Sequence, residues 1–121
     1  MSEHTATITR LITEIKPLIE RELNITFGVN LVSRYVCVCK PAFNHVILGE
    51  QFIFSVCDAH NTDLYTALLL ILTHEGLHLT GLKHDDKSRK MGFYCHTLRD
   101  TYTPKIAMEI AASKIKKEER Q

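Results

Sequence analysis

The feature that most constrains this chain is an apolar run that leads directly into a group of ionisable side chains. Residues 67–72 are Ala, Leu, Leu, Leu, Ile and Leu, and His74, Glu75 and His78 follow shortly after them. A helix that is apolar on every side has to be buried, so we predict a core helix over residues 63–79. Side chains on such a helix have little freedom to move, which suits metal ligands.

The spacing of the polar residues adds a second constraint. Residues 74–84 follow the pattern H-E-x-x-H-x-x-G-x-x-H. Because His74 and His78 are four residues apart, they lie one turn apart on the same helix face. Gly81 follows the predicted helix end, where a glycine can take a left-handed conformation and turn the chain. We expect that turn to bring His84 back toward the other two histidines.

This pattern predicts a single catalytic Zn²⁺ ion bound by His74, His78 and His84. Three imidazoles leave the fourth position of a tetrahedral zinc ion open to water, as in catalytic sites. Glu75 lies beside the first ligand, where it could act as general base and acid toward that water. The pattern leaves one alternative open, a buried helix whose histidines fall on one face by chance.

Composition sets the broader limits. At 121 residues, with 45% hydrophobic and 24% charged residues, the chain has the composition of one globular domain, predicted to span residues 1–121. A formal net charge of +1 gives no electrostatic argument for nucleic acid or membrane as a partner. The first residues lack the pattern of a secretory signal, and the apolar run is too short to cross a bilayer. We therefore expect a cytoplasmic protein.

The four cysteines are Cys37, Cys39, Cys57 and Cys95. A cytoplasmic location favours free thiols over disulfides. Cys37 and Cys39 alternate along a predicted strand, so they should share one face of it. We favour small buried apolar residues as their role, and the alternative is a second, structural zinc bound by all four.

The remaining pattern predicts an α+β fold with a small mixed sheet, an N-terminal helix behind the sheet and the motif helix buried against it. Asn61 or Thr62 is expected to cap the motif helix, with Asp63 at the positive end of its dipole. The other predicted elements are a helix over residues 5–23 that Pro17 kinks or splits, a strand over 29–39, strands over 46–48 and 51–56 separated by a turn or bulge at Gly49 and Glu50, and a C-terminal helix beginning at Thr103 and Pro104.

The stretch from His74 to His84 resembles the extended zinc motif of the metzincin metallopeptidases, with every defined position filled. The resemblance implies a zincin-like fold and a zinc-dependent metallopeptidase that hydrolyses a peptide or protein substrate. The three histidines would be the ligands and Glu75 the general base and acid. Metzincins also carry a methionine turn beneath the metal, for which Met91 is the candidate here. Tyr94 lies one residue farther on than the tyrosine that some metzincins place after that methionine.

A rival resemblance is to the YbeY-type rRNA-maturation metalloproteins. Their motif looks like H-G-x-L-H-L-x-G-Y-D-H, which has the same histidine offsets and matches Leu77 and Leu79. It implies a metal-dependent endoribonuclease, and so a nucleic acid partner, but it has glycine at the position of Glu75. A third alternative is a non-catalytic binding module on a zincin-like scaffold.

The acidic residue decides between these alternatives for us. A buried carboxylate is costly unless it has a chemical role, so Glu75 favours hydrolysis of peptide bonds. Two structural features would separate the rivals. An open edge strand beside the motif helix would favour the peptidase, since such an edge can pair with a peptide backbone. A basic groove near the metal would favour the ribonuclease.

Overall fold

The computed structural model describes residues 3–81. The predicted α+β class with a small mixed sheet is confirmed for this part of the chain, whereas the zincin-like identity stays a prediction. The predicted helix from Thr103 lies outside the described residues. The elements are α1 (Glu3–Leu23), β1 (Gly28–Val32), β2 (Cys37–Lys40), a short 3₁₀ helix (Pro41–Phe43), β3 (His45–Gly49), α2 (Glu50–His60) and α3 (Leu64–Leu79).

Helix α1 runs through Pro17 as one helix, so of the two predicted effects of this proline, a kink or a split, the split is wrong. Proline removes one hydrogen bond from the helix interior. Here buried side chains lie on both sides of Pro17, and their packing holds the helix together across it. These side chains form one stripe along α1: Ile8, Ile12, Ile15, Leu18 and Ile19.

The predicted strand over residues 29–39 is in fact two strands, β1 and β2, which flank β3 on opposite sides. Strand β1 is parallel to β3 and β2 is antiparallel to it. The link between β1 and β2 crosses the end of β3 at Gly49, whose amide donates to the Val36 carbonyl at 2.7 Å. A Cβ atom at Gly49 would collide with the Arg34 carbonyl oxygen. Gly49 is thus a point of close backbone approach and not the predicted hairpin turn.

The register of the sheet defines one face that points into the core. Residues paired across neighbouring strands carry their side chains on the same face. Val46 and Leu48 of β3 are fully buried, so their partners point the same way. The core face therefore consists of Val29, Leu31, Cys37, Cys39, Val46 and Leu48.

Residues 51–56 belong to helix α2, so the predicted strand there is wrong. The apolar residues of this segment recur at helical spacing: Ile53 and Val56 are buried, and Phe52 and Cys57 pack beside them. This spacing buries one side of a helix, whereas a strand would have put Ile53 and Val56 on opposite faces.

Helix α3 begins one residue later than predicted and ends as predicted, at Leu79. Its N-cap is Asp63, whose carboxylate accepts a hydrogen bond from the Thr66 amide at 2.8 Å. The prediction of Asn61 or Thr62 as the cap is therefore wrong; Asn61 instead ends α2 in the left-handed conformation, with φ 51°. The hydrogen bonds from Thr66 hold the pKa of Asp63 below its usual range.

Burial of α3 extends over every residue from Ala67 to Leu77, as the apolar run predicts. The helix packs against α1, α2 and β2. Among residues 3–81, no helix combines the length and the apolar character that crossing a bilayer requires.

Candidate metal centre

Three side chains of α3 converge at its C-terminal end. One ligand atom from each of His74, Glu75 and His78 lies within 4.8 Å of the others. The two imidazole rings, one helical turn apart, have centroids 4.9 Å apart and an interplanar angle of 74°. The predicted proximity of the two histidines is confirmed, and the Glu75 carboxylate joins them.

These polar groups lie inside the protein. His74 is fully buried and Glu75 is 3% exposed, while His78 is half-buried. The neighbouring Thr73 is also fully buried, but its hydroxyl donates to the Leu69 carbonyl at 2.6 Å within the helix. Of the two histidines, His74 is therefore the inner member of the centre and His78 the more accessible one.

Gly76 determines how closely the site helix approaches α1. A Cβ atom there would lie 2.9 Å from Leu23 Cδ1 and 3.1 Å from Ile19 Cγ2, both closer than ordinary contact. A small residue between the two histidines thus lets α3 rest directly on α1. The H-E-x-x-H motif accepts any residue at position 76, so the motif gives no indication that Gly76 has a role in packing.

The chain turns at Gly81 as predicted. Thr80 caps α3, and Gly81 follows with φ 102°, its amide donating to the His78 carbonyl at 2.9 Å. His84, the expected third ligand, lies outside the described residues, as do Met91 and Tyr94. The three-histidine set stays a prediction, of which two members are placed together.

Strand β2 supplies two thiols to the site, which the sequence did not assign to it. Cys37 Sγ donates to Glu75 Oε1 at 3.2 Å, and Cys39 Sγ lies 3.8 Å from the Glu75 carbonyl oxygen, to which it donates. The predicted common face of Cys37 and Cys39 is confirmed. Alternation along the strand indicated that face, but only the pairing of β2 with β3 determines what the face meets.

Burial and the nearby Glu75 charge raise the pKa of the Cys39 thiol to about 11, so it is neutral at pH 7. Cys37, Cys39 and Cys57 are free thiols, and Cys95 lies outside the described residues. Between residues 3 and 81, the only cluster with the geometry to hold a metal is His74, Glu75 and His78, and it includes no cysteine.

The donor set suits zinc. Imidazole nitrogens and a carboxylate oxygen are among its usual protein ligands, and all three of these side chains lie on the buried helix α3. No family model, no curated protein and no solved structure matches this chain. The resemblances to metzincins and to YbeY-type proteins therefore rest on the motif residues alone.

Proposed function

We propose that this protein is a zinc-dependent metallopeptidase. The observation that carries the proposal is the buried Glu75 carboxylate on a core helix. One of its oxygens lies within 4.8 Å of a ring nitrogen of His74 and of His78. Removing a carboxylate from water is costly, and the cost is largest when the group remains charged. A chemical role for the charge accounts for its retention at this position.

The residues divide into ligands and a proton carrier. His74, His78 and the predicted ligand His84 would hold the ion, and Glu75 is then left for chemistry. Bound Zn²⁺ supplies Lewis acidity, which polarises a substrate carbonyl and makes water more acidic. Glu75 would take a proton from the attacking water and pass it to the leaving amine.

The position of β2 favours a peptide as the substrate. Within the described sheet β2 is an edge strand, bonded to β3 on one side, and Cys37 and Cys39 place it against Glu75. An extended peptide can add to such an edge through backbone hydrogen bonds. The scissile bond would then run past the carboxylate, which supports a peptidase over a ribonuclease.

The decisive test is Glu75→Gln, which keeps the size of the side chain but cannot accept the proton. The zinc-loaded protein is incubated with a denatured protein mixture and, separately, with a structured RNA. We expect peptide hydrolysis by the parent and a loss of about 10²–10⁴-fold in the variant, typical for removal of a general base. Bound zinc and circular dichroism should be unchanged. Glu14→Gln, which alters an exposed carboxylate of α1, is the matched control.

Each other outcome points elsewhere. Peptide hydrolysis by Glu75→Gln at the parent rate would remove the proposed mechanism. RNA cleavage that survives the substitution would favour the YbeY-like endoribonuclease. Absence of both activities from the zinc-loaded parent would favour the binding module.

Chelation should abolish the hydrolysis and added Zn²⁺ should restore it, since the ligands belong to the folded chain.

A further inference from the structure

We infer that Cys37 is a positioning residue for Glu75: its thiol holds the carboxylate in the orientation that proton transfer requires. The catalytic part of this inference rests on the proposed function. The contact itself joins two different elements, the edge strand β2 and the core helix α3, across 38 positions of sequence.

The geometry gives the thiol a specific target. Glu75 has two carboxylate oxygens, and Cys37 Sγ donates to Oε1 at 3.2 Å. A glutamate side chain has several rotatable bonds, so fixing one oxygen restricts the direction of the other. Both residues lie on the side where the core face of the sheet meets α3, where water competes little for the carboxylate.

The neighbouring thiol provides a built-in contrast. Cys39 lies two residues along the same strand face, but its Sγ lies 3.8 Å from the backbone carbonyl of Glu75. That carbonyl is already fixed by the helix, so removing the Cys39 thiol should leave the carboxylate where it is. The two cysteines thus differ in what they hold, although they share a face and a half-buried environment.

The first measurement needs no activity. Cys37→Ala and Cys39→Ala are each introduced into the parent and into Glu75→Leu, and the unfolding midpoint in denaturant is measured. We expect Cys37→Ala to lower the midpoint more in the parent than in the Glu75→Leu background, because only the parent is left with a carboxylate that has lost a donor. Cys39→Ala should lower it equally in both. Equal losses for Cys37→Ala in the two backgrounds would overturn the inference.

The second measurement uses peptide hydrolysis by the zinc-loaded protein. Cys37→Ala should lower kcat at least about tenfold with KM little changed, and Cys37→Ser, which keeps a donor, should recover most of the loss. Cys39→Ala removes no hydrogen bond from the carboxylate and should lower kcat much less than Cys37→Ala does. Parental kcat in a folded Cys37→Ala protein would overturn the inference and leave the peptidase intact. A further outcome is that the parent protein hydrolyses nothing while Cys37→Ala still lowers the unfolding midpoint more in the parent than in Glu75→Leu. That result would overturn the proposed function and leave Cys37 as the residue that holds Glu75.

Discussion

Helices α1 and α3 pack against each other, yet they bury very different parts of their surfaces. Helix α1 has one buried stripe, and its other side carries the exposed ion pair of Arg10 with Glu14. Helix α3 is buried at every position from Ala67 to Leu77. Most ionisable residues of α1 therefore lie in water, and Lys16 and Glu20 are half-buried, whereas His74 and Glu75 lie in the core.

This difference shows where a polar side chain carries functional information. On α1, the exposed glutamates and arginines belong to the solvated side of an amphipathic helix and need no further explanation. On α3, buried ionisable side chains displace apolar contacts and have to be held by partners. The burial of the helix, more than the identity of its residues, singles out His74 and Glu75 as candidates for chemistry.

An alanine scan of one turn in each helix tests this comparison and should give the largest effects on stability. Residues 69–72 of α3 are all buried and point in successive directions, so each change to alanine should cost about 2–5 kcal/mol. In residues 12–15 of α1, only Ile12 and Ile15 are buried, and Thr13→Ala and Glu14→Ala should stay within about 0.5 kcal/mol. Unfolding in denaturant measures both sets. Two near-neutral positions among 69–72 would mean that α3 has an exposed side after all.

The contact between the two helices can be probed at Gly76. A valine there would drive its branches into Ile19 and Leu23, so Gly76→Val should cost about 1–3 kcal/mol of unfolding free energy. Gly76→Ala is the matched control. Its gain of about 0.5–1 kcal/mol in helix propensity offsets the closer contact, and its stability should remain near that of the parent. A parental unfolding midpoint for Gly76→Val would show that the helices lie farther apart.

The smallest effect is expected at the start of α3. Asp63→Ala removes the side-chain cap on the Thr66 amide and should cost about 1 kcal/mol. The pKa of Asp63 is lowered in the folded state. The contribution of its charged carboxylate to the free energy of unfolding is therefore fully present above the unfolded pKa of about 3.9. It is lost as the pH falls through the lower folded value.

Asp63→Asn, which keeps a capping oxygen without the titration, is the control for this prediction. The difference in unfolding free energy between the parent and Asp63→Asn should change below about pH 4 and be constant above it. Constancy across the whole range would show that the carboxylate charge does not contribute to the cap.

Local patterns predicted those parts of the fold that depend on neighbours in sequence. The stripe of α1, the burial of α3 and the turn at Gly81 follow from residue spacing and glycine chemistry. The apolar character of residues 51–56, which include the β-branched Ile53 and Val56, favours a strand, although the spacing of the buried residues is helical. The break in the predicted strand over 29–39 depends on the crossing at Gly49, which only the assembled sheet reveals.

The candidate site also combines a feature that local sequence predicts with one that depends on the assembled fold. The proximity of His74 and His78 is a property of one helix and could be predicted from a spacing of four. The contact between Cys37 and Glu75 depends on the order of the strands, which places β2 at the edge beside α3. No local pattern specifies that order.

The burial of α3 also bears on how the chain avoids aggregation. An apolar segment such as residues 67–72 is prone to self-association while it is uncovered. The elements described as packing on it, α1, α2 and β2, all precede it in sequence. During synthesis these elements have left the ribosome before the apolar segment does, so its cover is already available. In refolding from denaturant, the elements do not become available one after another, and the apolar segment is exposed at the same time as all its partners.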